Sequence, residues 1–276
     1  HPNSFAGMAL GTVPFIYYFF PISPRWIKAV LVVMLGFAIN IIIFTGSRTG
    51  YVAFIIFALF VILKSKVKKK AIACVFVIGI ISMPLIPQDY IDRFHTIFTG
   101  VEKEGRSAET RKQILKDAWQ IFIENPLGVG VAAFPAARMA KFGRFQDTHN
   151  LYLEIATNLG IQGLLVFGLF IFYMLKMLTG ITRGAYKQIQ EMIEVTSHAE
   201  NKGGLTGDIK KHISDLRLIY ATGSAVFMFI IVRLALGLFG MDLYEIYWWF
   251  AFGLTVALYN IKKYSDNKTN EILNLI

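Results

Sequence analysis

Cysteine is almost missing from this chain. Cys74 stands alone among 276 residues, inside an apolar run, so no disulfide framework exists. Cysteine and histidine also lack the spacing of a metal site. Charge is scarce: 17% of residues are Asp, Glu, Lys or Arg, against roughly 25% in soluble domains. Acidic residues are the scarcer sign, 18 against 28 basic ones, which leaves a net charge of +10. That charge alone would suit a nucleic-acid partner. The lysines, however, cluster beside apolar runs, as they do on a cytoplasmic membrane face, so a nucleic-acid partner is set aside. What remains is apolar: 55% of residues are hydrophobic, 24 of them Phe, and the mean hydropathy is +0.53. These numbers describe an all-α, polytopic transmembrane helical bundle.

His1-Pro2-Asn3-Ser4-Phe5 has no basic segment ahead of it and is not a signal peptide. The expectation is a chain that begins inside a larger protein, of which this is the C-terminal part. A membrane span needs about 20 apolar residues, fewer where flanking residues snorkel. Seven stretches qualify: Phe5–Phe20, Ile27–Phe44, Tyr51–Leu63, Ala71–Ile86, Leu151–Leu178, Leu218–Phe239 and Ile246–Ile261. The third is short and reaches full length only with Arg48 and Lys64 in the two interfaces; otherwise it is a re-entrant or buried segment.

Basic residues in short loops set orientation. Lys64, Lys66, Lys68, Lys69 and Lys70 crowd one loop, which is therefore read as cytoplasmic. Alternation then puts Arg25, Lys28, the 179–217 connection, Lys262 and Lys263 on the same side. The chain thus divides into spans one to four (1–86), an outer loop (87–150), span five (151–178), a cytoplasmic and partly helical loop (179–217), and spans six and seven with a tail (218–276). The outer face receives the turn Thr45-Gly46-Ser47-Arg48-Thr49-Gly50, the long loop and the turn Gly240-Met241-Asp242. With nine basic and eight acidic residues, the long loop is nearly neutral and does not oppose this assignment.

A loop of that length is more than a connector. Ser107 as N-cap, Glu109 in the first turn and Pro126 as a stop predict a helix within it. Ile114, Leu115, Ala118, Ile121 and Phe122 recur at helical spacing, with Trp119 beside them, so the helix suits a membrane surface. Arg111 lies one turn before Leu115. It is either a solvated arginine or a group held at headgroup height. The following Asn125-Pro126-Leu127-Gly128-Val129-Gly130 is either a plain turn or a backbone nest for an anion.

The most informative phrase is Asp147-Thr148-His149-Asn150-Leu151-Tyr152-Leu153-Glu154, where a histidine meets the entrance of span five. A lone histidine there is commonly structural. Arg48 and Arg111 on the same face change its weight: guanidinium forks suit phosphate oxygens, and imidazole suits general-base work at neutral pH. Arg233, inside span six, is a functional candidate because charge inside a membrane is costly. Its bland reading is an ion pair with Asp242. Glu154 would orient the imidazole or pair with a helix neighbour.

Thr-Gly-Ser-Arg-Thr-Gly at 45–50 resembles the Ser-Arg turn of the O-antigen ligase and polymerase superfamily, with Ser47 and Arg48 at its centre. Arg111, Trp119 and Asn125-Pro126-Leu127-Gly128-Val129-Gly130 are similar to that family's outer-loop motif. Thr148-His149-Asn150-Leu151-Tyr152-Leu153-Glu154, followed by Gly160 and Gly163, is similar to its histidine motif. His1-Pro2-Asn3-Ser4-Phe5-Ala6 resembles the start of an upstream helix. The likeness covers about residues 1–178. It implies a C-type membrane glycosyltransferase fold. It also implies transfer of a glycan from undecaprenyl pyrophosphate on the outer face of the bacterial inner membrane. His149 would be the catalytic base and Arg48 and Arg111 would hold the pyrophosphate, with Arg233, Asp242, Glu154 and Ser47 in support. No metal or other cofactor is implied, in keeping with the lack of a carboxylate cluster. A ligase would use a lipid A–core acceptor; a polymerase would use another glycan repeat. Both stay open. The chain departs from the family in its number of spans, where about a dozen are usual, and in Asn158, where an acidic or small residue is frequent. His198 and His212 fall on the wrong face for this chemistry. A transporter of lipid-linked glycans is the alternative of another class. It would put Arg48 and Arg233 along a passage, but internal repeats are not evident. A non-catalytic assembly scaffold is opposed only weakly by the histidine and arginines.

Overall fold

The computed structural model describes residues 2–45, 68–82, 107–199, 206–241 and 243–274, with Ile55, Ala58, Leu59 and Ile62 between them. Eight helices and no strand occur among the described residues: α1 (Pro2–Phe19), α2 (Arg25–Phe44), α3 (Lys68–Ser82), α4 (Ser107–Glu124), α5 (Phe134–Phe142), α6 (Leu151–Ala199), α7 (Thr206–Leu236) and α8 (Ile246–Asn274). The all-α expectation is met.

Among the described residues, three helices are long and apolar enough to cross a membrane: Arg25–Phe44, Leu151–Thr196 and Gly207–Leu236. Phe5–Phe19 is a shorter apolar helix. These coincide with four of the seven predicted spans. Most of span three, with Ser47 and Arg48 ahead of it, lies outside the described residues, as does Asp242.

The polar stretch after Leu178 is more regular than its composition suggests. α6 continues to Ala199, and α7 begins at Thr206. Ile181, Ala185, Ile189 and Met192 recur at helical spacing and are buried. Ile189 and Met192 pack with Ile209, Ile213, Leu216 and Ile272. An amphipathic pattern, hidden from a plain hydropathy reading, holds these helices outside their apolar halves.

The chain forms two compact units. One comprises residues 1–10, 36–168 and 232–245; the other comprises 11–35, 169–231 and 246–276. In the second unit α6 and α8 run parallel, since Phe170 meets Phe252, Gly184 meets Lys262 and Gln188 meets Asp266. Phe229 meets Phe15 and Phe250 edge-on, at 6.2 and 5.9 Å. His212 shares a hydrogen bond with Thr269 at 2.8 Å. It is buried and so acts as a core group.

Candidate functional site

The first unit is built around a break in α6. Gly160 has φ 70° and ψ −163°, which no helix interior permits. The carbonyls of Thr157 and Asn158 therefore lose their helical donors. The amides of Val129 and Gly130 replace them, at 2.8 and 3.0 Å. In return Ile161 N–H donates to Pro126 O at 2.9 Å, and the Gln162 side chain donates to Leu127 O at 2.6 Å. The Asn125–Gly130 loop is thus threaded into the helix break. The amide of Gly128 donates to Asn125 O at 2.8 Å. Three of the amides that an anion nest would need are already engaged by protein carbonyls, so the nest reading of this loop is corrected.

Asn158 adds a side-chain link: its Oδ1 accepts Phe134 N–H at 2.9 Å in the buried interior. Ala133, the N-cap of α5, makes no side-chain cap of its own. Asn158 supplies from α6 what a capping side chain would supply locally.

α4 and α5 pack through Ala118, Ile121 and Phe134. The buried seam of α4 is Ile114, Asp117, Ala118 and Ile121. Leu115, part of the predicted apolar stripe, is exposed, and Asp117 takes an inward place. Asp117 accepts Gln113 Nε2 at 2.8 Å, Arg138 Nε at 2.9 Å, and Arg144 through Nη2 at 2.9 Å and Nε at 3.2 Å. Burial resists ionisation of this carboxyl. The donated hydrogen bonds and the Arg144 charge outweigh it and hold the acid below its ordinary range. Arg138 is 1% exposed, and its Nη1 also reaches Gln146 Oε1 at 3.5 Å.

The second face of α4 is apolar and open. Leu115, Trp119 and Ile123 are exposed every fourth residue, and exposed Arg111 stands one turn before them. Hydrogen bonding to α5 and solvent exposure have divided the predicted stripe into two.

His149 sits where the start of α6 meets the end of α7. Leu151 N–H donates to Gly237 O at 2.7 Å, Tyr152 OH to Leu234 O at 2.9 Å, and Asn150 Nδ2 to Leu238 O at 3.0 Å. The Leu234 carbonyl in the last turn of α7 and the Gly237 and Leu238 carbonyls just beyond it are thereby satisfied from the start of α6. Asn150 Oδ1 accepts Leu153 N–H at 3.0 Å and caps α6. Thr148 Oγ1 donates to Asn150 O at 3.1 Å. Between these two pinned neighbours His149 adopts φ 49°, the left-handed region, where side chains larger than glycine are strained. Its imidazole is half-buried. Burial pushes its pKa down, the nearby Arg111 and Arg138 charges push the same way, and Asp147 opposes them. The shift favours the neutral ring, the form that can accept a proton.

The structure therefore brings His149 within electrostatic reach of Arg111. Glu154 is buried, with Oε2 accepting Leu243 N–H at 3.4 Å from the turn after α7. Arg233 is also buried, with Nη1 packed over Gly7, where an added Cβ would lie 3.1 Å away. Asp117, Arg138 and Arg144 were not singled out from sequence, and Asn158 stood out there only as a departure from the family pattern. A charged residue inside the apolar seam Ile114–Ile121 was the available signal for Asp117.

The sequence model described as O-antigen ligase matches residues 29–168. This chain belongs to the O-antigen ligase family. The match takes in α4, α5, the α6 break and His149, and stops short of Arg233. Membership makes the protein a glycosyltransferase-like membrane enzyme of polysaccharide biosynthesis, with lipid-linked glycans as its substrate class. Comparison with curated proteins and with solved structures gives no significant match. No group of three His, Cys, Asp or Glu able to hold a metal occurs among the described residues of this O-antigen ligase family member.

Proposed function

We propose that this family member transfers a glycan from undecaprenyl pyrophosphate to an acceptor hydroxyl at the outer face of the bacterial inner membrane. His149 is the base. The acceptor oxygen attacks the anomeric carbon, its proton passes to the imidazole, and the bond from that carbon to the pyrophosphate oxygen breaks. Undecaprenyl pyrophosphate departs with the bonding pair, and Arg111 and Arg48 hold its negative charge. Ser47, Glu154, Arg233 and Asp242 support the site. The lipid A–core acceptor of a ligase is the first reading; a polymerase using the same donor is the second.

One observation carries this reading: a half-buried imidazole on a strained, twice-pinned backbone, with the Arg111 charge acting on it. Strain that persists because its neighbours over-determine it is a mark of functional sites. The open apolar line Leu115–Trp119–Ile123 beside Arg111 supports a headgroup-level position for that guanidinium. The seven-span topology with basic loops inside belongs to the same proposal. So does metal-independent transfer.

Labelled-glycan transfer in membranes tests it. His149→Ala and Arg111→Ala each abolish transfer while the protein still inserts. Arg48→Lys also fails, because an ammonium cannot replace a bidentate fork. Wild-type transfer by His149→Ala removes that residue as the base. Labelled lipid A–core marks a ligase, a ladder on the carrier lipid a polymerase, and export without transfer a transporter.

A further inference from the structure

The second unit contains a groove of about 690 Å³ between α6 and α8, lined by Tyr173, Lys176, Gly184, Tyr259, Lys262 and Lys263 among others. Its size is that of a ligand site. The floor is shaped by small residues: a Cβ on Gly184 would come within 3.3 Å of Lys262 Nζ. Lys262 is buried and ion-paired with Asp266, which also accepts Gln188 Nε2 at 2.6 Å. The aspartate is thus engaged within the protein. Lys176 and Lys263, both exposed, carry the groove's excess positive charge.

The groove also lies where both helices change character. Before it, Leu169, Phe172 and Tyr173 on α6 and Phe252, Val256 and Tyr259 on α8 are exposed and apolar or aromatic. After it come Arg183 and Lys187 on α6 and Lys268 on α8. Because the helices run parallel, the two changes fall at one level. A ligand seated there meets ammonium groups at one end and an exposed apolar surface at the other. Paired tyrosines at that level match the aromatic belt of a membrane interface.

We infer that the groove binds the phosphate of an anionic phospholipid from the surrounding bilayer, with Lys176 and Lys263 at the headgroup and the acyl chains along the exposed faces of α6 and α8. The charge selects an anion, and the one-sided apolar surface selects a lipid over a soluble phosphate. The inference rests on α6 as a membrane helix and not on the transfer chemistry. Its test needs no glycan donor, so the two readings fail separately.

The test is native mass spectrometry of the full chain in detergent, with phosphatidylglycerol or phosphatidylcholine added, with and without millimolar inorganic phosphate. Wild-type protein retains phosphatidylglycerol preferentially, and inorganic phosphate does not displace it. Each lysine near an anionic headgroup is worth roughly a fivefold change in affinity, so Lys176→Gln with Lys263→Gln weakens retention about 25-fold. Lys263→Gln alone weakens it about fivefold, which covers failure of the double variant to fold. Equal retention of the two lipids overturns the proposal. So does unchanged phosphatidylglycerol retention in both variants. Displacement by inorganic phosphate makes the groove a soluble-anion site and overturns the lipid assignment.

Discussion

Gly128 and Gly160 meet backbone to backbone. A Cβ on Gly128 would lie 2.8 Å from Gly160 N, and one on Gly160 would lie 2.7 Å from Gly128 N. Both residues have positive φ, 88° and 70°. The two glycines are one device, a loop passing through an opened helix. Neither has a substitute, because backbone cannot move aside as a flexible side chain can.

Gly128→Ala and Gly160→Ala should therefore each cost more than about 2 kcal/mol, from positive φ and backbone overlap together. Gly168→Ala is the control: nothing lies within 4 Å of its added Cβ, and its helical position favours alanine by roughly 0.5–1 kcal/mol. Thermal unfolding in detergent compares the three. Equal midpoints for Gly160→Ala and wild type would contradict the threaded arrangement.

The Asp117 cluster predicts acid sensitivity. Its carboxyl is held below the ordinary range when folded. Its stabilisation is thus complete above the unfolded carboxylate value and fades as pH falls through the lowered one. Asp117→Asn leaves buried Arg138 without its counter-charge and should cost about 3–5 kcal/mol. Chemical denaturation from pH 7 downward reads both effects; the acid slope should disappear in the variant.

The proposed base sets a pH profile. Burial, Arg111 and Arg138 lower the His149 pKa, so the acid limb of kcat/KM should fall below the ordinary imidazole value of 6.5. Arg111→Gln removes one lowering charge and moves the imidazole titration, read by NMR of His149, upward, though not fully, because burial is the larger cause. A titration that stays in place would separate Arg111 from the imidazole.

Asn158→Ala leaves Phe134 N–H unsatisfied in the interior and should cost roughly 1–3 kcal/mol. Asn158→Asp keeps an acceptor at the start of α5, where negative charge is favoured, and should retain more stability than the alanine variant. Unfolding midpoints order the pair; the reverse order would remove the capping role.

Periodicity and hydropathy made much of the architecture legible. The α4 boundaries follow from Ser107, Glu109 and the Asn125-Pro126 stop, and the helices containing Ile27–Phe44, Leu151–Leu178 and Leu218–Phe239 are long and apolar. The same reading gave the polar 179–217 stretch only as a partly helical loop, without the extent of its helices, because mean hydropathy ignores an amphipathic face. It gave Ile114, Leu115, Ala118, Ile121 and Phe122 as one membrane-facing stripe and left Asp117 unremarked, since a stripe of spacing does not say which of its edges a neighbour covers.

Local pattern by itself determined that the chain is helical, apolar and basic at its loops, and that an imidazole precedes Leu151. Each of these depends only on residues near one another in sequence. Tertiary structure alone decided that Val129 and Gly130 amides fill the gap at Gly160, that Arg138 and Arg144 converge on Asp117, and that α6 closes the end of α7 beside His149. Those are pairings over tens of residues. They exist because a buried donor or charge must find a partner, and the chain supplies it from wherever the fold brings one.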